Sequence, residues 1–412
     1  MKADDTLTAA RLDAVAAEHG ASFYLADIER FAGSYRRFEA AFRAIYPRTR
    51  IGYSYKTNYL PAFIRRAHAL GAYSEVVSRF EFAYARELGI PGERIIFNGP
   101  VKASPELADA FGAGALVNAD SVAEINQMIR VAEELPGGPV AIGLRCFLGP
   151  ETEGSRFGID LGGREGDEAL AALAGTDSLR LAGLHCHQSG DRSAEQYRQR
   201  TKAMLALHTG LLEGRPLDFI DLGGGFASTM GPSLLAQLRY TPATFEDYAE
   251  GVAGEMAATY GADGPELILE PGMALLADTM VLVTRVETVK ELGGRRLAVV
   301  DASILNTQPF QDGRVNLPVR VVPTGHQRPP STGPWEIVGH TCTEIDVLHR
   351  GHRGPLGIGD YVVVENVGAY TTVLNAPFIR GRPAIVELGP SGPGDVLRPR
   401  STALDLLQSY EP

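Results

Sequence analysis

The chain has 412 residues, 44% of them hydrophobic and 22% charged, and a formal net charge of −11. That composition belongs to a globular protein long enough for two domains, and the acidic balance argues against a nucleic-acid partner, which calls for a basic face. No run of about 18 apolar residues occurs, and the opening "MKADDTLTAARLDAVAAEHG" reads as a polar amphipathic helix rather than a signal peptide, so a cytoplasmic protein with no membrane partner is expected.

From about residue 50 to about residue 275, β-rich runs alternate with helical patterns. In chain order the runs are "RIGYSYK", "YSEVVS", "RIIFNGP", "ALVNAD", "VAIGLRC", "LAGLHCH", "LDFIDLGGG" and "ELILEPG". Helical segments such as "PAFIRRAHAL", "RFEFAYARELG", "SPELADAFGAG", "SVAEINQMIRVAEE" and "AEQYRQRTKAMLALHTGLL" lie between them. Eight parallel βα units predict an α/β fold with a (β/α)8 TIM barrel. Beyond this region, "TMVLVTRVETVKELGGRRLAVVDAS" and "GDYVVVENVGAY" alternate apolar and polar residues between turn glycines, which predicts a C-terminal antiparallel β domain. "VVPTGHQRPPSTGPW" is a loop rich in proline, glycine and serine. Cys146, Cys186 and Cys342 lack the dense spacing of a disulfide framework.

Barrel active sites lie at the C-terminal ends of the strands. Lys56 closes the first run, Glu75 and Ser78 the second, Asn98 the third, Arg145 the fifth, His185 and His187 the sixth, Gly223, Gly224 and Gly225 the seventh, and Glu270 the eighth. Each has a plain reading: a solvated lysine, a turn of glycines, a surface glutamate, a satisfied core histidine. Brought together on one rim they read differently. A lysine there can bond the aldehyde of a cofactor, and glycines after the seventh strand let backbone N–H groups approach a phosphate. A glutamate at the eighth can face a pyridinium nitrogen, and a histidine can stack on a flat ring.

Together these residues resemble the fold-type III pyridoxal-phosphate decarboxylases, the family of the diaminopimelate, ornithine and arginine-type decarboxylases, which shares its barrel with alanine racemase. Eight motifs carry the resemblance over nearly the whole chain: "YSYKTN", "SEVVS", "SRFGI", "GLHCH", "DLGGGF", "EPG", "HTCTEID" and "VGAYT". It implies pyridoxal 5'-phosphate as cofactor, bonded at Lys56, with His187 on the ring and Arg145 near its phenolic oxygen. Ser189, Gly223, Gly224, Gly225 and Tyr370 would hold the phosphate, and Glu270 would pair with the ring nitrogen. It further implies a homodimer with shared active sites, in which Cys342 comes from the second subunit and returns a proton to Cα after carbon dioxide leaves. The implied division is an N-terminal segment 1–27 joining the β domain, a barrel over 28–275 and a β domain over 276–412.

Three departures bear on the substrate. Where the family commonly has an acidic residue after the cysteine, this chain has Thr343. Glu344 follows, but consecutive residues of an extended strand point opposite ways. Asp346 is the other acidic side chain of that segment. The arginine that the diaminopimelate branch has after "EPG" is Met273 here, and the serine after strand six is displaced by one place to Ser189, in "HQSG". These changes point to a specialised biosynthetic decarboxylase acting on a substituted amino acid, conjugated or carrier-bound. The alternatives are diaminopimelate decarboxylase proper, an amino acid racemase, a zinc enzyme built on His185, His187 and Cys342, and a non-catalytic homologue.

Overall fold

The computed structural model describes residues 7–149, 155–188, 190, 192–238, 240–307, 315–325, 333–389 and 393–410. Strand β1 (Ser22–Ala26) precedes eight parallel strands that close into a barrel: β2 (Thr49–Ser54), β3 (Tyr73–Val76), β4 (Ile95–Phe97), β5 (Leu116–Ala119), β6 (Val140–Arg145), β7 (Leu179–His185), β8 (Phe219–Asp221) and β9 (Glu266–Leu269). Each overlaps one of the eight predicted runs, β2 starting one residue and β7 two residues before its run, and β2 pairs with β9 through Thr49 and Leu267 to shut the cylinder.

Helices cover the outside. The five helical patterns become Pro61–Ala69, Arg79–Glu87, Ser104–Gly112, Val122–Glu133 and Ala194–Ala206. Ile28–Arg43, Arg164–Ala174 and Phe245–Tyr260 complete the ring. Ile28–Arg43 shows how the sequence makes such a helix: Asp27 caps it by accepting the Arg30 N–H at 2.8 Å, and Phe31, Tyr35, Phe38 and Phe42 are buried along one face at helical spacing. Phe38 packs edge-on against both Phe226 and Phe245, each ring centroid 5.1 Å away.

Alternation along the barrel strands fixes what faces inward. Ile96, Phe219 and Ile268 form an interior layer with Tyr73 and Leu116 packed against it. A side chain at Gly183 would run into the Phe219 ring, so glycine there makes room for the layer. Arg50, over the Tyr73 ring and 2.5 Å from Glu266, closes the floor. Two residues further along each strand the inward positions are polar, and this is the rim that carries the chemistry.

The second sheet contains β10 (Met280–Leu292), β11 (Arg295–Val300), β12 (Val319–Val322), β13 (Trp335–Val338), β14 (Val347–His352), β15 (Tyr361–Val364), β16 (Ala384–Leu388) and β17 (Pro393–Arg398). Its order is β14-β13-β11-β10-β1-β16-β17, with β15 joined to β10 and β12. The sheet is mixed rather than wholly antiparallel: β1 with β16 and β11 with β13 run parallel. Parallel neighbours need a long crossover, and for β1 and β16 that connection includes the entire barrel. Among the described residues no helix is long and apolar enough to cross a membrane.

"HTCTEID" departs from the extended strand expected of it. It is a turn between β13 and β14, closed by the Asp346 N–H on the Thr343 carbonyl at 3.1 Å. The buried Asp346 carboxylate holds the turn, accepting from the Thr341 N–H and hydroxyl at 2.9 and 2.6 Å and from the Ile304 N–H at 2.7 Å. Opposite facing of Thr343 and Glu344 therefore has no basis, and both are exposed.

Candidate active site

Every barrel strand has an inward polar residue at or beside its C-terminal end: Ser54, Arg145, His185 and Asp221 at the last position, Glu75 and Asn118 one before it, and Asn98 and Glu270 just past β4 and β9. All eight are buried. Hydrogen bonds join many of them across strand boundaries. Ser54 Oγ donates to Glu75 at 2.6 Å, Asn118 donates to Asn98 Oδ1 at 2.7 Å, and Asn98 donates to Glu270 Oε1 at 2.6 Å and to Glu75 at 3.2 Å. A buried polar network of this kind holds its members in one geometry.

Lys56 stands on a single turn of 3-10 helix, Tyr55–Thr57, just beyond the end of β2. Its ammonium is 2.5 Å from Glu75 Oε2. Burial acts to lower the lysine pKa, but the charges of Glu75 and Glu270 outweigh it and the net shift is upward. The amine is thus a held cation, positioned toward the barrel mouth.

Glu270 and Asp221 form a coupled pair. Burial would raise the Glu270 carboxyl, yet His185, 3.7 Å away, and Lys56 hold it below the ordinary glutamate value. Burial pushes Asp221 well above its ordinary value, and the charge on Glu270 adds to the push. The two carboxyls are therefore driven in opposite directions, Glu270 toward the ionised form and Asp221 toward the protonated one. His185, Asp221 and Glu270 are the one group among the described residues close enough to hold a metal, their ligating atoms lying within 4.8 Å. The zinc set anticipated from the sequence does not assemble within one chain, because Cys342 is exposed on the β13–β14 turn while His185 is buried in the barrel.

After β8 the glycine loop turns back on the rim. Gly223 has φ +65° and donates to Asp221 Oδ1 at 2.8 Å, and its carbonyl accepts the Glu270 N–H at 2.9 Å. A Cβ on Gly223 would meet the Cys186 carbonyl, and one on Gly224 the Glu270 carbonyl, so the loop can lie this close only without side chains. The Gly224 N–H donates to His187 Nδ1 at 3.1 Å. Burial and the Lys56 charge hold the His187 pKa well below its ordinary value, leaving a neutral ring. Tyr370 enters from the second sheet with φ +61°, its N–H bonded to the Thr57 carbonyl at 2.9 Å.

These pieces share one pocket, lined by Lys56, His187, Gly224, Gly225, Glu270 and Tyr370 together with Met273 and Arg192. Beside it lies a chamber of about 330 Å³, mainly apolar, whose walls include Met230, Leu234, Leu238, Val315 and Leu317. Arg192, Met273 and Tyr370 line both spaces and so form the neck between them.

Other anticipated residues lie elsewhere. Arg145 pairs with Asp120 at 3.2 Å and stacks on Phe157 at 4.5 Å, and it is absent from the pocket wall. Cys342, Thr343, Glu344 and Asp346 line neither the pocket nor the chamber of their own chain. Ser78 caps the helix Arg79–Glu87. Ser189 lies outside the described residues. Ser54, Asn118, Asp221 and Arg192 went unrecognised in the sequence; counting two residues along each strand finds the first three, whereas no local signal marks Arg192.

Pyridoxal phosphate, the group implied by the sequence resemblance, fits what is present. Lys56 can take the aldehyde and ionised Glu270 the ring nitrogen, neutral His187 offers a flat uncharged face, and Gly224 and Gly225 leave room for phosphate oxygens.

Residues 32–277 match the family described as "Pyridoxal-dependent decarboxylase, pyridoxal binding domain". A diaminopimelate decarboxylase of Actinosynnema pretiosum is 31% identical over 392 residues, covering 91% of this chain and 86% of that protein. Another, of Methanothermobacter thermautotrophicus, is 29% identical over 416 residues, covering 96% and 92%. The crystal structure of the Methanocaldococcus jannaschii enzyme in co-complex with L-lysine matches with a TM-score of 0.85 at 24% identity, over 96% of this chain and 93% of that one, which shows a shared fold.

Proposed function

The chain belongs to the pyridoxal-dependent decarboxylases, and from that premise we propose that it removes the α-carboxylate of an amino acid bearing an apolar substituent on its side chain. It is a carboxy-lyase of amino acids, and its cofactor is pyridoxal phosphate. When bound, the cofactor supplies an electron sink for the pair of electrons left by departing carbon dioxide. The chain supplies the rest. Lys56 provides the amine that attaches the aldehyde, and Glu75 keeps that amine in place. Glu270, bonded by Asn98 and with His185 3.7 Å away, would hold a proton on the ring nitrogen. His187, kept neutral, would cover the ring without adding charge.

Cys342 delivers a proton to Cα in the partner's pocket. Its exposure, and its absence from the pocket of its own chain, support a homodimer with shared active sites. The chamber past the neck carries the substrate reading. Among the described residues its wall has no carboxylate, so it would leave a lysine or ornithine ammonium desolvated and unpaired, whereas an acyl, aryl or other conjugated side chain gains by burial there. A carrier-bound amino acid is the extended form of such a conjugate. Carbon dioxide release measured over free and side-chain-acylated amino acids tests this: the conjugates should turn over, and turnover confined to lysine or ornithine defeats it.

A second reading, diaminopimelate decarboxylation, is favoured by one observation. The guanidinium missing at Met273 is present beside it as Arg192. Including diaminopimelate in the same panel, with lysine as the measured product, decides between the two.

A further inference from the structure

Arg192 has a setting that the decarboxylation chemistry does not account for. It immediately precedes the helix Ala194–Ala206, whose N-cap Ser193 accepts the Gln196 N–H at 3.3 Å. The Tyr248 hydroxyl donates to its backbone carbonyl at 2.5 Å, and Tyr248 is itself buried against Tyr197 and Phe226. The residue is therefore anchored at its main chain while its side chain reaches the neck, where Nη1 lies 2.9 Å from Met273 Sδ. A thioether is a weak acceptor and cannot neutralise a guanidinium. The other cation of the pocket, Lys56, already has Glu75. Among the described residues no carboxylate pairs with Arg192: the acid that lines the same pocket, Glu270, accepts from Asn98 instead, and the other groups there include Gly224, Gly225, Thr57 and Tyr370.

We propose that Arg192 is an anion-recognition residue at the neck, binding ligand oxygens bidentately and standing in space where Met273 leaves no charge. This rests on the reading of the pocket as the cofactor and substrate site. Two anions share the required chemistry: the cofactor phosphate and a carboxylate on the substrate side chain. A planar guanidinium suits either, since its donors match two oxygens at once.

The experiment uses three full-length proteins: wild type, Arg192→Gln, and Arg192→Gln combined with Met273→Arg. Each is stripped of cofactor and titrated, by absorbance and by protein fluorescence, with pyridoxal phosphate and with pyridoxal, which lacks the phosphate. Each reconstituted enzyme is then assayed for kcat and KM on substrates with and without a side-chain carboxylate. If the phosphate is the anion, Arg192→Gln weakens pyridoxal phosphate binding by about tenfold to a hundredfold and leaves pyridoxal binding unchanged. If a substrate carboxylate is the anion, cofactor affinity holds and KM rises by about that factor for the carboxylate-bearing substrate alone. In either case arginine at 273 restores part of the loss, which a merely structural role for Arg192 would not allow. A folded Arg192→Gln enzyme whose cofactor affinity and KM values all stay within twofold of wild type overturns the proposal. Should no conjugated amino acid be a substrate while the phosphate arm still responds, the apolar-substrate reading falls and the role of Arg192 stands.

Discussion

The Lys56 ammonium and the Glu75 carboxylate stand 2.5 Å apart at the mouth of the barrel, and Ser54 and Asn98 hold the carboxylate in place. The pair keeps the amine protonated before it meets an aldehyde. Replacing Glu75 by Gln removes the opposing charge, so the burial that remains should lower the lysine pKa and enlarge the neutral, nucleophilic fraction. Competitive acetylation of cofactor-free enzyme at pH 8 should then label Lys56 faster in Glu75→Gln than in wild type; equal rates would show that the pair does not govern the amine. Borohydride reduction of the loaded enzyme should place the cofactor on Lys56. Label on Lys102, which is buried and 2.9 Å from Glu124, would reassign the site.

Glu270 and Asp221 sit side by side with opposite shifts, and this yields a pH-dependent prediction. The folded-state pKa of Asp221 is raised, so its contribution to stability is fully present below the ordinary aspartate value of 3.8 and is lost as pH rises toward the folded value. Asn mimics the protonated acid and has no such dependence. Thermal unfolding of cofactor-free protein between pH 4 and pH 8 should show Asp221→Asn gaining on wild type as pH rises. A constant difference across that range would mean that Asp221 is ionised in the fold. Glu270→Gln, which cannot hold a proton on the ring nitrogen by charge, should lose kcat by about a hundredfold to a thousandfold. A loss under tenfold would remove Glu270 from that role.

How far the rim could be read from the sequence follows from the residues concerned. Glu75, Asn98, Arg145, His185 and Glu270 stood out because each breaks an apolar run with chemistry, and strand alternation puts them on the inner face. Ser54 and Asn118 are neutral, and Asp221 opens a motif whose glycines draw the attention, so the even spacing of a complete rim passed unnoticed. Arg192 was beyond reach for another reason: its neighbour Met273 is 81 residues away, and only the folded loops bring them together. The turn at 340–346 is hard to read from the sequence because "HTCTEID" has the threonine and isoleucine of a strand, while the deciding interaction is one carboxylate, Asp346, gathering the N–H of neighbouring Thr341 and of distant Ile304.

Cys342 is exposed on its own chain, and Lys56 lies in the barrel. If each site draws on both subunits, a Lys56→Ala chain and a Cys342→Ala chain are separately defective and can complement each other. Random exchange makes half the dimers mixed, each with one intact site of two, so activity should recover to about a quarter of wild type. Mixing that restores none, under conditions where subunit exchange is verified with tagged chains, would place Cys342 outside the reaction.

The chamber beyond Arg192, Met273 and Tyr370 makes the specificity quantitative. Its walls at Met230, Leu234, Leu238, Val315 and Leu317 offer aliphatic contact and no carboxylate, and Thr343 on the exposed turn offers none either. Each methylene buried in such a space contributes about 0.8 kcal/mol, so kcat/KM should climb about fourfold per carbon along a series of side-chain N-acylated lysines until the chamber is full. Ala277→Phe narrows the chamber from one wall and should flatten the series at its long end while leaving the shortest member little changed. Free lysine and ornithine should fall at least about tenfold below the best acylated substrate, since their ammonium loses water there without a charged partner. A kcat/KM for either free amino acid near or above about 10⁴ M⁻¹s⁻¹, the ordinary range of a native substrate, would mean that a carboxylate from another part of the assembly reaches the chamber.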